Sequence, residues 1–152
     1  MNAIIENLLT RRSTRAFLQK EIPDNELNEI LQAAIYAPSG MGKQTWKFTV
    51  LCNQEKIQQL AELIGRKLGR KGYDMYRPQV LIIPSNQKEN PHGMEDNACA
   101  LENIFLAAHS FGIGSVWINQ LRTLCDDPEV RALLDEFEIP SDHVVYLSLI
   151  HI

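Results

Sequence analysis

The sequence predicts a layered α/β or α+β sandwich in a single domain, on three observations. Helix-like and strand-like segments interleave along the chain instead of segregating into blocks. Val80, Leu81, Ile82 and Ile83 follow one another directly, as in a strand buried on both faces. The chain has 152 residues, of which 45% are apolar and 22% charged, enough for a sizeable core and a squeeze for two full-sized domains.

Taken in order, Ile4, Ile5, Leu8 and Leu9 recur at helical spacing, so a short amphipathic helix opens the chain and stops near Arg11. After Ile22-Pro23, Asp24 is an N-cap candidate for a second helix with Leu27, Ile30, Leu31 and Ala34 on its apolar face, ending by Pro38. Two glycines and a proline within residues 37–44 make a loop, and a strand follows at 46–52. Ile57, Leu60, Ala61, Ile64 and Leu68 mark a third helix, ended by the glycines at 69 and 72. Residues 79–84 are the buried strand and 85–93 a polar loop. Ala98, Leu101, Phe105 and Ala108 sustain a long helix over 95–111, closed by Gly112-Ile113-Gly114, and 115–118 is a short strand. Pro128 stands in a first turn after Asp126-Asp127 and opens the last helix, with Val130, Leu133, Leu134 and Phe137 on its apolar face. Residues 144–149 complete the set as a final strand, giving about five helices and four strands with no internal repeat and no low-complexity stretch.

Fifteen Lys and Arg against nineteen Asp and Glu leave a net charge of -4, which gives no general attraction to nucleic-acid phosphates or anionic lipid. Cys52, Cys99 and Cys125 are widely spaced and form no C-x-x-C pair, which suits a reducing cytoplasm. Glu6 and Asn7 interrupt the first apolar stretch and no cleavage pattern follows, so no signal peptide is read. No apolar run approaches the roughly 18 residues of a spanning helix. The expectation is a cytoplasmic protein that engages neither membrane nor nucleic acid.

The sharpest local feature is Arg11-Arg12-Ser13-Thr14-Arg15, three guanidinium groups and two hydroxyls directly after a helix. Guanidinium presents fixed donors that match phosphate oxygens in pairs, hydroxyls add shorter donors, and a dianion offsets the repulsion among clustered cations. The pentapeptide alone fits a solvated basic turn equally well, and no aromatic residues interleave with it as a nucleic-acid platform requires. A second feature is residues 37–46, Ala-Pro-Ser-Gly-Met-Gly-Lys-Gln-Thr-Trp. Its glycines let backbone groups approach a planar heterocycle, and Gln44 can both donate and accept; Trp46 is expected in the core. The third is residues 106–119, Leu-Ala-Ala-His-Ser-Phe-Gly-Ile-Gly-Ser-Val-Trp-Ile-Asn, where Gly-x-Gly lies between a helix and a strand. That is the reverse of the context of a dinucleotide fingerprint, so a Rossmann reading is rejected.

Together the three stretches resemble the nitroreductase family of flavin mononucleotide (FMN) oxidoreductases, whose pattern runs Arg-Arg-Ser-x-Arg, then Ala-Pro-Ser-x-x-Asn-x-Gln-Pro-Trp, then Leu-Ala-Ala-x-x-x-Gly-x-Gly-x-x-Trp. Order and spacing agree from Leu8 to about Val145, and Asp96 looks like the acidic residue that commonly precedes the family's long central helix. The resemblance implies a mixed, mainly antiparallel sheet flanked by helices, and a homodimer with flavin sites at its interface. It implies that Arg11, Arg12, Ser13 and Arg15 hold the phosphate and ribityl chain. Pro38, Ser39 and Gly40 would approach the isoalloxazine from the partner subunit, with Gln44 near that contact. Trp117, Ile118 and Asn119 would meet the ring largely through backbone groups. The implied reaction has two steps: NAD(P)H passes hydride to the flavin and leaves, then a small electron-poor acceptor such as a nitroaromatic or quinone is reduced in the same pocket. No catalytic acid or base is nominated, because the flavin performs the chemistry while protein groups bind, orient and tune it. The alternatives are a same-fold flavin enzyme of different chemistry, such as a flavin reductase or dehalogenase, and a non-catalytic flavin-binding protein.

The chain departs from the family pattern at Gly42, where Asn is usual, and at Thr45, where Pro is usual. Family members also continue past the last strand into a segment with another basic phosphate ligand, whereas this chain stops at Ile152. Residues 147–152, Leu-Ser-Leu-Ile-His-Ile, coincide with one reading frame of a sequencing-library adapter. The single FMN-binding domain is therefore expected at 1–146 and a non-native tail at 147–152. His92, His109, His143 and His151 lack metal-ligand spacing, so no metal site is expected. Cys99 reads as packing, and Asp126-Asp127 as helix-start chemistry.

Overall fold

The computed structural model describes residues 2–151, with side chains through Tyr146. The elements run α1 (Ala3–Thr10), α2 (Asp24–Ile35), β1 (Trp46–Leu51), α3 (Gln54–Lys67), β2 (Val80–Gln87), α4 (Gly93–Ser110), β3 (Gly114–Ile118), α5 (Gln120–Leu124), α6 (Pro128–Glu136), β4 (His143–Val145) and β5 (Leu147–His151). The strand order is β1-β2-β5-β3, with β4 also on β2, and each of these ladders is antiparallel. At the β3 edge a parallel bridge adds Ser13 beside Ser115.

Alternation along β2 divides the interior into two layers. Val80 and Ile82 enter the layer built with α2 and α4, while Leu81 and Ile83 enter the layer built with α3, α5 and α6. The apolar strand read from the sequence is thus covered on both faces. Its polar continuation, expected as a loop, extends the strand to Gln87. Ser85 and Asn86 are buried there because each has a partner: Ser85 Oγ lies 2.9 Å from His143 Nδ1, and Asn86 Nδ2 donates to Asn97 Oδ1 at 2.9 Å.

Pro84 sits inside this central strand. The register is continuous from Ser85 opposite Val145 to Ile82 opposite Ser148, which sets Pro84 opposite Tyr146. The Tyr146 N–H donates to the Pro84 carbonyl at 2.7 Å, and proline has no N–H to return. The missing rung is where β4 and β5 divide, so the single final strand expected at 144–149 appears as two. The backbone of β5, within the expected tail, pairs with both β2 and β3.

Other departures are local. Asp24 is the first residue of α2 rather than its cap; Pro23 holds the cap position with φ of -58° and no side-chain hydrogen bond. Asp127 does cap α6, accepting from the N–H groups of Glu129 and Val130 at 3.0 and 3.3 Å, with Pro128 in the first turn. The five-residue α5 is too short to carry an apolar period. Trp46 is half-buried rather than in the core, because β1 is an edge strand; its ring lies 5.8 Å from that of Phe48. Among the described residues no helix is long and apolar enough to cross a membrane.

The Ser85 and His143 pair makes the fold sensitive to acid. Burial holds the His143 imidazole below its ordinary value, against an opposing influence of Asp142. Below about pH 6.5 the unfolded chain takes up a proton that the folded imidazole resists. The contribution is therefore full above that pH and is lost as pH falls toward the depressed folded value. The urea midpoint of the wild type is expected to drop more between about pH 7 and about pH 5 than that of His143→Gln. Equal slopes would acquit His143.

Candidate functional site

The 18 residues of α4 make a rod about 27 Å long, and each end carries one of the motifs read from the sequence. At its C-terminal end α1 docks through Asn7, whose Nδ2 donates to the Leu106 carbonyl at 2.9 Å, and through Thr10 Oγ1, 2.9 Å from His109 Nε2. Arg12 folds back so that Nη1 donates to the carbonyls of Leu9 and Arg11, both at 2.8 Å, placing its charge on the negative end of α1. The Thr14 N–H then donates to the Ser115 carbonyl at 3.0 Å, which holds the pentapeptide beside β3 as extended chain rather than as a free turn. Gly114 permits that approach: a Cβ there would stand 3.0 Å from the Thr14 side chain.

Between these segments lies a cleft of about 220 Å³, lined by Thr10, Arg11, Arg12, Thr14, His109 and residues 112–115. Guanidinium, hydroxyl and imidazole groups converge there without a carboxylate among the lining residues, a donor set that fits a phosphate. Ser13 and Arg15 are exposed beside it. Two residues after Ser115, Trp117 is 42% exposed and Asn119 is open to solvent. The Ile118 side chain packs into the core with α3, leaving only its backbone for a ligand.

The second motif stands at the N-terminal end of α4. Asp96, buried, accepts from the Gly40 N–H at 2.7 Å through Oδ1 and from Asn90 Nδ2 at 3.0 Å through Oδ2. Asn90 Nδ2 also reaches Thr45 Oγ1 at 2.9 Å, and Thr45 Oγ1 donates to Asn86 Oδ1 at 2.7 Å. The hydroxyl that replaces the family proline is thereby part of a network joining the 37–45 loop, β2 and α4. Ser39 Oγ accepts from the Gln44 N–H at 3.2 Å, and Gln44 Nε2 donates to the Ile35 carbonyl at 3.4 Å, closing the end of α2. Gly42 has φ of 65°, the left-handed region that glycine and asparagine both visit. The departure at this position keeps the backbone path and removes an amide.

Asp96 and His109 stand thirteen positions apart on the helix, about 20 Å along the axis. One chain therefore brings Arg11, Arg12, Ser13 and Arg15 together with Trp117, Ile118 and Asn119, and holds Pro38, Ser39, Gly40 and Gln44 at the other end of the rod.

The residues 8–151 match the pattern of the Nitroreductase family. The chain belongs to that family. This nitroreductase-family chain is 30% identical over 148 residues to a Methanothermobacter thermautotrophicus protein named as an NADH dehydrogenase/NAD(P)H nitroreductase, covering 97% of this chain and 74% of that one. It is similar to the crystal structure of an FMN-bound nitroreductase from Bacteroides fragilis, with a TM-score of 0.95, 44% identity, and coverage of 99% and 88% of the two chains. An FMN-dependent nitroreductase of Clostridium difficile matches with a TM-score of 0.82 and 32% identity, over 97% of this chain and 86% of that one. The expected helix-flanked, mainly antiparallel sheet is the nitroreductase fold.

Some residues of the site escaped the sequence patterns. Thr10 and His109 meet only in the tertiary structure, across 99 positions, and no local pattern links them. Away from this site, a charge count along the chain reveals a second basic segment with Arg66, Lys67, Arg70, Lys71 and Arg77. Among the described residues, no group of three or more His, Cys, Asp or Glu side chains could hold a metal ion.

Asp96→Ala leaves two donors of the loop network without their acceptor, and a loss of about 1–3 kcal/mol in urea denaturation is expected. Hydrogen exchange at the Gly40 amide should quicken by roughly tenfold or more. An unchanged rate at Gly40 would show that Asp96 does not hold the loop.

Proposed function

We propose that this chain works as a two-fold homodimer, an NAD(P)H-dependent FMN oxidoreductase that reduces small electron-poor acceptors such as nitroaromatics and quinones. One observation supports the reading: the arginine pentapeptide and the 37–45 loop, to both of which the resemblance assigns flavin contacts, stand about 20 Å apart at opposite ends of α4. A two-fold axis that runs α4 antiparallel to its copy sets the 37–45 loop of one subunit beside the arginines of the other.

The exposed apolar surface supports such a pairing. Helix α1 buries none of its residues within the chain although Ile4 and Leu9 are 72% and 59% exposed, and beside the loop Tyr36 and Met41 are 83% and 75% exposed. The names of the relatives support the chemistry, and the donor set around the cleft beside Arg11 and Arg12 supports the cofactor. Arg11, Arg12, Ser13 and Arg15 would bind the phosphate and ribityl chain. Trp117, Ile118 and Asn119 would orient the ring through their backbone groups, and Pro38, Ser39 and Gly40 of the partner subunit would cover it and exclude water. When bound, FMN supplies the hydride exchange between nicotinamide and acceptor, so no side chain here is assigned as acid or base.

The purified protein is expected to be yellow and dimeric by sedimentation, and Arg12→Ala with Arg15→Ala should weaken FMN binding by at least about 100-fold. A protein that cannot be reconstituted with FMN, or a monomer that binds it fully, would overturn the proposal. Gly42→Asn restores the family amide at a compatible backbone angle in open space, so unchanged folding and roughly two- to tenfold tighter FMN retention are expected by fluorescence titration.

A further inference from the structure

Five of the chain's fifteen Lys and Arg residues fall within residues 66–77, against one acid, Asp74. This is a concentrated positive region in a protein of net charge -4. The loop after α3 folds back on that helix around an open cleft of about 630 Å³, whose lining includes Arg66, Arg70, Lys71, Tyr73 and Arg77. Arg66 pairs with Glu129 at 2.7 Å, and Arg77 with Asp74 at 3.1 Å. Arg70 lies 5.8 Å from the centre of the Tyr73 ring and, like Lys71, has no carboxylate partner among the described residues. Both are exposed.

The backbone here is held in an unfavourable form. Met75, Tyr76 and Arg77 are consecutive at φ of 51°, 63° and 52°, a left-handed run in residues that carry side chains. Buried Met75 anchors it, and the Asp74 carboxylate accepts from the Tyr76 N–H at 3.0 Å and from Arg77 Nε at 3.1 Å. Arg77, at the end of this run, lines the cleft.

The cleft is also tied to the flavin half-site. Gln19 Nε2 donates to the Arg77 carbonyl at 3.4 Å, and Gln79 Nε2 donates to Gln19 Oε1 at 2.7 Å. Gln19 follows Ser13 by six residues, which reach at most about 20 Å when extended. Exposed Arg15 lies on that path and exposed Lys20 directly follows Gln19, so positive charge continues from the arginine pentapeptide to the cleft.

We propose that this cleft receives the adenosine end of the nicotinamide donor, with Arg70 and Lys71 pairing with its 2′-phosphate, so that NADPH is preferred over NADH. The assignment rests on the NAD(P)H-dependent reading above. A 2′-phosphate brings a compact anion whose oxygens match guanidinium donors in pairs, and the guanidinium plane can lie on the adenine. NADH offers the same adenine and pyrophosphate without that anion, so the discrimination lies in the charge pairing.

The test uses FMN-loaded protein and an Arg70→Ala, Lys71→Ala double variant, in steady-state oxidation of both donors and in calorimetric titration with 2′,5′-ADP and with inorganic phosphate. The variant is expected to lose at least about tenfold in kcat/KM for NADPH, to stay within about twofold for NADH, and to keep its FMN content. It should also lose at least about tenfold in affinity for 2′,5′-ADP. Equal losses for both donors, a wild type indifferent to the 2′-phosphate, or 2′,5′-ADP binding that the variant leaves unchanged would overturn the assignment. Inorganic phosphate binding as tightly as 2′,5′-ADP would mark a free-phosphate site and overturn it too. If neither donor is oxidised while 2′,5′-ADP still binds through Arg70 and Lys71, the oxidoreductase reading falls and the nucleotide cleft stands. If both are oxidised and 2′,5′-ADP does not bind, the cleft falls alone.

Discussion

Val80 and Ile82 face one interior layer and Leu81 and Ile83 the other, so the central strand builds both cores at once, with β1 adding Leu51 to one and Phe48 and Val50 to the other. Burying four such side chains is worth about 6–12 kcal/mol before conformational entropy is counted, comparable with the whole net stability of a domain. The position of everything else follows. With α4 laid on one face of β2, the Asn86 to Asn97 hydrogen bond sets where the helix starts, and its length sets where it ends. The arginine pentapeptide and the glycine-rich loop then attach to those two ends by hydrogen bonds that use few side chains: Asn7 and Thr10 at one, Asp96 and Asn90 at the other.

The parts legible in the sequence are those whose signal is local. Apolar periods located α1, α2, α3, α4 and α6, and Pro128 after two aspartates located the last start within a residue. The three motifs were legible because their spacing survives in the linear chain. What escaped was written in contacts between distant residues. The polar half of β2 looks like a loop until His143 and Asn97 arrive to satisfy Ser85 and Asn86. Trp46 looks like core until β1 proves to be an edge. The imidazole of His109 has no evident place beside the arginine pentapeptide until Thr10 comes to lie 2.9 Å away.

Charge organisation tells a similar story at a larger scale. A net value of -4 describes a chain repelled by phosphates, yet nine of its fifteen cations occupy residues 11–20 and 66–77. The Gln19 contacts bring those two segments together. The rest of the surface is left with a large excess of acid, which disfavours nonspecific polyanion binding, while the positive track offers local potential of the sign that suits small phosphorylated ligands. Overall charge and local chemistry thus act on different classes of partner.

The rod-like α4 has a further consequence. Each added or deleted residue in a helix moves everything beyond it by about 1.5 Å and turns it by about 100°. In a two-fold pair that uses α4 as the spacer between half-sites, one such change would disturb both pockets at once and by the same vector. The helix would then behave as a gauge block: its residue count, more than the identity of any one exposed side chain, would fix where the loop of one subunit meets the arginines of the other.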